Sequence, residues 1–427
     1  MNMKKMSSIA VWLWFVGAIA GSAAEPVAPV ETLNVMYTAQ SGYQADDMRM
    51  IAKIFKDLSG VEVNLDYVNY DQQYEKIVEL SSTYDVIALD EIWLADLVTK
   101  GILDPLDENF SKKMLADIDP KVLQAFRYQD KIWAFPFLLN YQLFFYNQTM
   151  LGKAGFQTPP KTLEELLQQM LTLKAQGIVT YPWTDAWKSG EHLICEYAWL
   201  TGAFGGSLFD DAGQPVFDQE AGLKALDFMA ALLQQGLVDP NILGTDDLQA
   251  KDQFLSGQAA FTSNWTFLTG LIATPAILES GQQLGLGLLP ASETTTIETA
   301  SVSAFQGLGV IAKSAKKEAA WKWLKFSTSP LVQRAFMTEM PIWTSVQNNT
   351  DVNALDAQMT VKRTQLQNAA HRPKLPNYQQ ISGILQRHLL RVLQDGVASA
   401  EALAAAKAEM LALPPIVQPT PTPTPKK

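Results

Sequence analysis

The chain is poor in cysteine, histidine and positive charge. Its single cysteine, Cys195, can form no internal disulfide, so a fold of this length must rest on apolar burial rather than on cross-links. Three histidines, His192, His371 and His388, stand in no metal-ligand spacing, and no GxSxG, HExxH or P-loop motif occurs. No pair of carboxylates stands out as acid and base for glycoside cleavage: Glu91 is expected to point away from its neighbour Asp90, and Glu191 falls in a stretch without a clear element. The expectation is a non-catalytic protein with no cofactor and no metal. Lys and Arg number 33 against 44 Asp and Glu, a net charge of −11, which makes nucleic acid and anionic membrane poor partners. After residue 24 no stretch approaches the ~20 apolar residues that a membrane helix needs.

What is present is apolar and aromatic. With 427 residues, 48% of them hydrophobic and 18% charged, the chain can bury a substantial core in two or three domains. Residues 1–24 read as a secretory leader: Lys4 and Lys5, an apolar run over 9–20, then Gly21, Ser22, Ala23 and Ala24. Its removal leaves 31 bases against 44 acids, or −13, and no cysteine follows it to carry a lipid. The expectation is an exported monomer, in the periplasm of a bacterium with two membranes, with no membrane insertion after cleavage. At the other end, residues 414–427 alternate Pro and Thr and predict a solvated extended tail.

Between them the first hundred residues alternate strand and helix. The pattern predicts strands over 33–37, 61–68 and 86–89, and helices over 46–58, with Ile51, Ile54, Phe55 and Leu58 inward, and over 71–82. That is βαβαβ, hence a parallel sheet with right-handed crossovers. The third strand stops at Asp90, where a helix pattern begins. Ligands in open α/β sheets bind outside the carboxyl ends of strands. By itself Asp90 reads as an N-cap; with Trp93 on the same turn it also reads as a hydroxyl acceptor beside an apolar ring face. The loop over 40–44 opens onto the same edge, so Tyr43 and Gln44 are either ligand contacts or turn surface. Asn140 sits between the apolar runs 132–137 and 143–146, where an amide is costly to bury without partners, and so faces a cleft or a chain crossing. A strand over 259–262 ends at Ser263, Asn264 and Trp265. Further strands are predicted over 284–289, 302–304 and 307–312, and helices over 219–235 and 316–326. An irregular segment over 340–346 carries Trp343, and helices follow from 351. Eleven tryptophans is a high count, and for each the default is core.

Four stretches in order resemble the family 1 extracellular solute-binding proteins, the sugar receptors of ABC importers. They are DVIALDEIWLADL from 85, IWAFPFLLNYQLFFYN from 132 with KAGFQTPPKTLEELL from 153, GQAAFTSNWTFL from 257, and AAWKWLKFSTSP from 319. The resemblance implies a two-lobe periplasmic-binding-protein fold of type II, α/β, each lobe a mainly parallel sheet flanked by helices, with the ligand cleft between. It divides the chain into lobe one over 25–138 and 306–342 and lobe two over 139–305, with 343–413 completing lobe two and the C-terminal helices. It implies Asp90 and Asn140 as polar ligands and Trp265 as the stacking ring. Phe305 and Gln306 lie where the family has a Gly-Gly-aromatic segment, and Trp343 where an arginine or aromatic lines the mouth. The implied function is capture of a mono- or oligosaccharide by hinge closure and its delivery to the transmembrane subunits of an ABC permease. The alternatives are a secreted carbohydrate-cleaving enzyme and a binding protein for a cation such as a polyamine.

Overall fold

The computed structural model describes residues 31–39, 42–336 and 339–414. The leader and, Pro414 apart, the Pro/Thr tail lie outside the described residues.

The first lobe opens with β1 (Thr32–Thr38), α1 (Ala45–Ser59), β2 (Glu62–Val68), α2 (Tyr70–Leu80), β3 (Val86–Asp90) and, after one 3-10 turn, α3 (Leu94–Thr99). β1 pairs in parallel with both β2 and β3, as the alternating pattern predicts. α1 starts on two acids, Asp46 and Asp47, which suit the positive end of the helix dipole. It ends at Gly60, whose φ of 74° only glycine adopts without strain. Its inward stripe is Met48, Ile51, Ala52 and Phe55; Ile54 and Leu58, expected inside, face solvent. The true stripe is set by Met48, one turn before Ala52, and turns the helix away from them.

The chain then runs through β4 (Phe135–Leu138) and passes into β5 (Gln142–Asn147), α4 (Leu163–Ala175), α5 (Glu191–Ala203), α6 (Glu220–Gln234), α7 (Asp247–Leu255), β6 (Phe261–Trp265) and β7 (Leu284–Gly287). It returns in β8 (Gln306–Val310) and α8 (Lys317–Ser327), and ends in α9 (Tyr378–Asp395) and α10 (Ser399–Leu411). The first sheet has the order β2-β1-β3-β8-β4, with β8 antiparallel to β3 and β4. The second has β5 between β6 and β7, antiparallel to both. Gly285 lets the ring of Tyr146 lie across β7: a Cβ there would stand 2.3 Å from it.

Each sheet carries its own apolar core. One gathers β1, β3, α1 and α8, with Trp323 donating to the Tyr37 hydroxyl over 3.1 Å; the other gathers α4, α5, α6, α9 and α10. Between them three chain passages lie side by side. Tyr141 bridges Ser303, Ala304 donates its N–H to Asn140, and Ser301–Val302 pairs with Ala369–Ala370.

Candidate functional site

A cleft lies over these passages, about 770 Å³ of space partly open to solvent. Its lining comes from both lobes: Thr38, Tyr70, Asp90 and Gln306 from the first, Glu191, His192, Asp247 and Trp265 from the second, and Asn140 and Arg372 from the passages between.

Asp90 is the N-cap its position suggested, and its side chain has a second partner. One carboxylate oxygen caps the turn, accepting from the Ile92 N–H at 3.2 Å; the other accepts from the Tyr70 hydroxyl at 2.8 Å. Burial pushes its pKa up to about 6, helped by the adjacent Glu91, against the pull of Arg372. Register places Gln306 opposite Asp90, since β8 pairs antiparallel with β3. Its amide oxygen lies 3.0 Å from the Thr38 hydroxyl. Asn140 accepts from the Thr266 hydroxyl at 3.0 Å, which also reaches the buried Glu339 at 2.7 Å. Trp265 is the last residue of β6 and donates its indole N–H to Asp247 at 2.8 Å.

Of the residues singled out in the sequence, Asp90, Asn140, Trp265 and Gln306 therefore meet in one cleft. The other five lie outside its lining. Trp93 is buried behind Tyr70, its ring stacked at 5.2 Å on the tyrosine, so Tyr70 is the aromatic beside Asp90 that faces the cleft. Tyr43 packs edge-on against Phe137 and lines a separate, smaller hollow with Glu339 and Gln333. Gln44 is exposed at the start of α1. Phe305 is buried with its edge against His371, and its carbonyl accepts from Glu91. Trp343 is buried against Phe135 and donates to the Thr328 carbonyl at 2.6 Å.

Sequence reasoning missed the charged half of the site. Arg372, 2% exposed at its side chain, reaches both Asp90 oxygens at 3.4 and 3.5 Å, the Ser303 carbonyl at 3.3 Å and Glu191 at 2.5 Å. Glu191 also accepts from Tyr378 at 2.9 Å and from Ser382. His371 binds Glu91 at 2.7 Å, so two consecutive acids meet two consecutive bases. Burial acts to raise the Glu91 pKa, but His371 and the Ser303 hydroxyl outweigh it and the carboxyl ends below its ordinary value. Against burial, Asp247 and Asp71 raise His192 to about 10; Asp71 belongs to α2 and Asp247 to α7, so this imidazolium too stands between the lobes. One signal was available for Asp247: Asp246 and Gln249 form a reciprocal capping box, which starts α7 at Asp247. Arg372, in AAHRPK, offers none. Among the described residues no cluster of His, Cys, Asp or Glu could hold a metal ion, and no helix is long and apolar enough to cross a membrane.

The same architecture recurs in proteins of known structure. The maltose-bound MalE3 of T. maritima superposes with a TM-score of 0.81 at 22% identity, covering 89% of this chain and 99% of its own. A solute-binding protein of Thermotoga lettingae TMO, bound with α-D-tagatose, gives 0.80 at 25% identity, covering 89% and 98%. In sequence, a putative binding protein of Brucella abortus (strain 2308) is 22% identical over 418 residues, 91% of this chain and 98% of its own. The maltotriose-binding protein of Pyrococcus abyssi is 25% identical over 312 residues, 71% and 64%. The family model of bacterial extracellular solute-binding proteins matches residues 50–363. With more than half of its length so matched and both lobes in place, this chain belongs to the bacterial extracellular solute-binding protein family.

Proposed function

We propose that the protein is an exported, monomeric receptor that closes its two lobes over a sugar or polyol and presents it to the transmembrane subunits of an ABC permease. One observation carries this reading: Asp90, Asn140, Trp265 and Gln306, distant in sequence, line one cleft between two separately packed cores. Carboxylate and amide groups accept and donate to hydroxyls, and the faces of Trp265 and Tyr70 cover C–H surface. Contacts from both sides favour the closed form, so ligand binding and closure are one equilibrium. Structural neighbours carry maltose, tagatose, ribitol and D-mannitol, which supports a polyhydroxylated ligand. The leader over 1–24 directs export, to the periplasm where there are two membranes. The acids Asp90 and Glu191 are both held by Arg372, an arrangement suited to binding rather than to proton transfer.

A second reading, a ligand bearing an amine, is favoured by one observation: Asp71, Asp90, Glu191, Asp246 and Asp247 all line the cleft, against Arg372 and the protonated His192. A melting screen separates the two. A neutral sugar or polyol at 100 times its Kd stabilises the fold by ~2.7 kcal/mol and raises the melting temperature by several degrees, with the compound recovered unchanged. Shifts only with spermidine or glucosamine support the second reading; product from maltotriose rejects both.

A further inference from the structure

We propose that Arg372 is a positioning residue for ligand capture: it ties Asp90 of the first lobe to Glu191 of the second and holds the Asp90 carboxylate as an acceptor in the cleft. The inference rests on the receptor reading above, and its residue lies beyond the segment matched by the family model, 50–363.

The geometry is specific to this side chain. The guanidinium spans three parts of the chain at once: the carboxyl end of β3, the first residue of α5, and the Ser303 carbonyl in the passage between lobes. A planar fork with five donors can do this, and a lysine ammonium cannot. Its Nε–H is sealed from solvent and has no acceptor among the described residues. The backbone that carries it is pinned: Ala369–Ala370 pairs with Ser301–Val302, and Lys374 donates to the Arg127 carbonyl at 2.9 Å. Asp90 is faced by Tyr70 from α2, by Glu91 on its own turn, by Glu191 and Cys195 from α5 and by Arg372. Arg372 is the one cation in that set, and its attraction opposes the burial that favours the protonated acid. Without it the carboxyl keeps its proton to higher pH and offers a donor where a sugar hydroxyl finds an acceptor.

The test is calorimetric titration at pH 6.0, 7.0 and 8.5 of wild type, Arg372→Gln, Arg372→Lys and Glu191→Gln with maltose, D-mannitol and ribitol, each variant's melting curve recorded alongside. For whichever compound wild type binds, Arg372→Gln is expected to lose tenfold or more at pH 7.0 and to recover part of it at pH 8.5. Arg372→Lys restores the pH profile but only part of the affinity. Glu191→Gln weakens binding at least threefold at all three pH values, since it cuts the tie across the lobes and leaves Arg372 beside Asp90. A merely structural role lowers melting temperature and leaves the pH profile alone. If Arg372→Gln does not fold, Arg372→Lys and Glu191→Gln carry the comparison. Folded variants with wild-type affinity at every pH overturn the inference alone; wild type binding none of the three compounds overturns the receptor reading beneath it.

Discussion

Trp265 and Asp247 are locked together, the indole N–H donating to a carboxylate oxygen over 2.8 Å. The other carboxylate oxygen is taken by His192. The bond fixes the edge of the indole and leaves its face as the surface a ring can cover. Trp265→Ala is expected to weaken binding fivefold or more, since stacking on such a face is worth ~1 kcal/mol beyond area. The side chain is only 7% exposed, so the fold loses stability as well, roughly 3–5 kcal/mol for a truncation of this size. Calorimetric titration below the variant's melting temperature separates the two effects.

Trp343 is the control. It is equally aromatic and was expected in the cleft, but its N–H is satisfied by the Thr328 carbonyl and its ring packs on Phe135 in the first core. Trp343→Phe leaves that carbonyl without its donor and lowers stability by ~1–3 kcal/mol. Affinity for any sugar stays within twofold, measured on the same calorimeter.

The contrast shows what the sequence could reveal. The βαβαβ start was legible because Val86, Ile87, Ala88 and Leu89 form a run that only a doubly covered strand buries. Asp90 followed from where that run stopped, and Trp265 from the end of another strand. An aromatic beside an acid is a local signal, however, and cannot say which ring faces outward: Trp93 lies behind Tyr70 because α2, an earlier element, supplies the ring in front. Arg372, Glu191 and His192 were not legible at all. Their roles come from tertiary convergence of a late connecting segment, a helix start and β3, and no periodicity encodes that.

Stability depends on pH through buried acids. Burial is the largest cause that raises Glu339 to about 7 and Asp90 to about 6, above the ordinary values of ~4 in an unfolded chain. In the second lobe burial raises Asp185 to about 6, against its hydrogen bond with Glu196, while burial and the Asp185 charge together raise Glu196; the two share the Ser263 hydroxyl. Each such group contributes stability that is fully present below its unfolded pKa and is lost as pH rises through its folded one. The melting temperature is therefore expected to fall from pH 5.5 to pH 8. Glu339→Gln, neutral at every pH, removes that group's share of the slope, about 2 kcal/mol between pH 5.5 and pH 8. Thermal melts at half-unit pH steps decide it.

His192 gives a spectroscopic prediction. Asp247 and Asp71 outweigh its burial and hold it protonated to about pH 10, whereas a free imidazole is neutral above ~6.5. Nitrogen-15 spectra of the imidazoles at pH 8 should show an imidazolium signal that disappears in His192→Gln. Asp247→Asn removes the larger of the two attractions and brings the titration down towards neutrality.

The account stands or falls on where the ligand lies. A crystal structure of the protein with the sugar or polyol that raises its melting temperature most is the direct measurement. The expected result is density between the lobes, a ring or chain against the face of Trp265, with hydroxyl oxygens within hydrogen-bonding distance of Asp90 and Asn140. Ligand bound outside that cleft, or in it with neither Asp90 nor Trp265 in contact, contradicts the account.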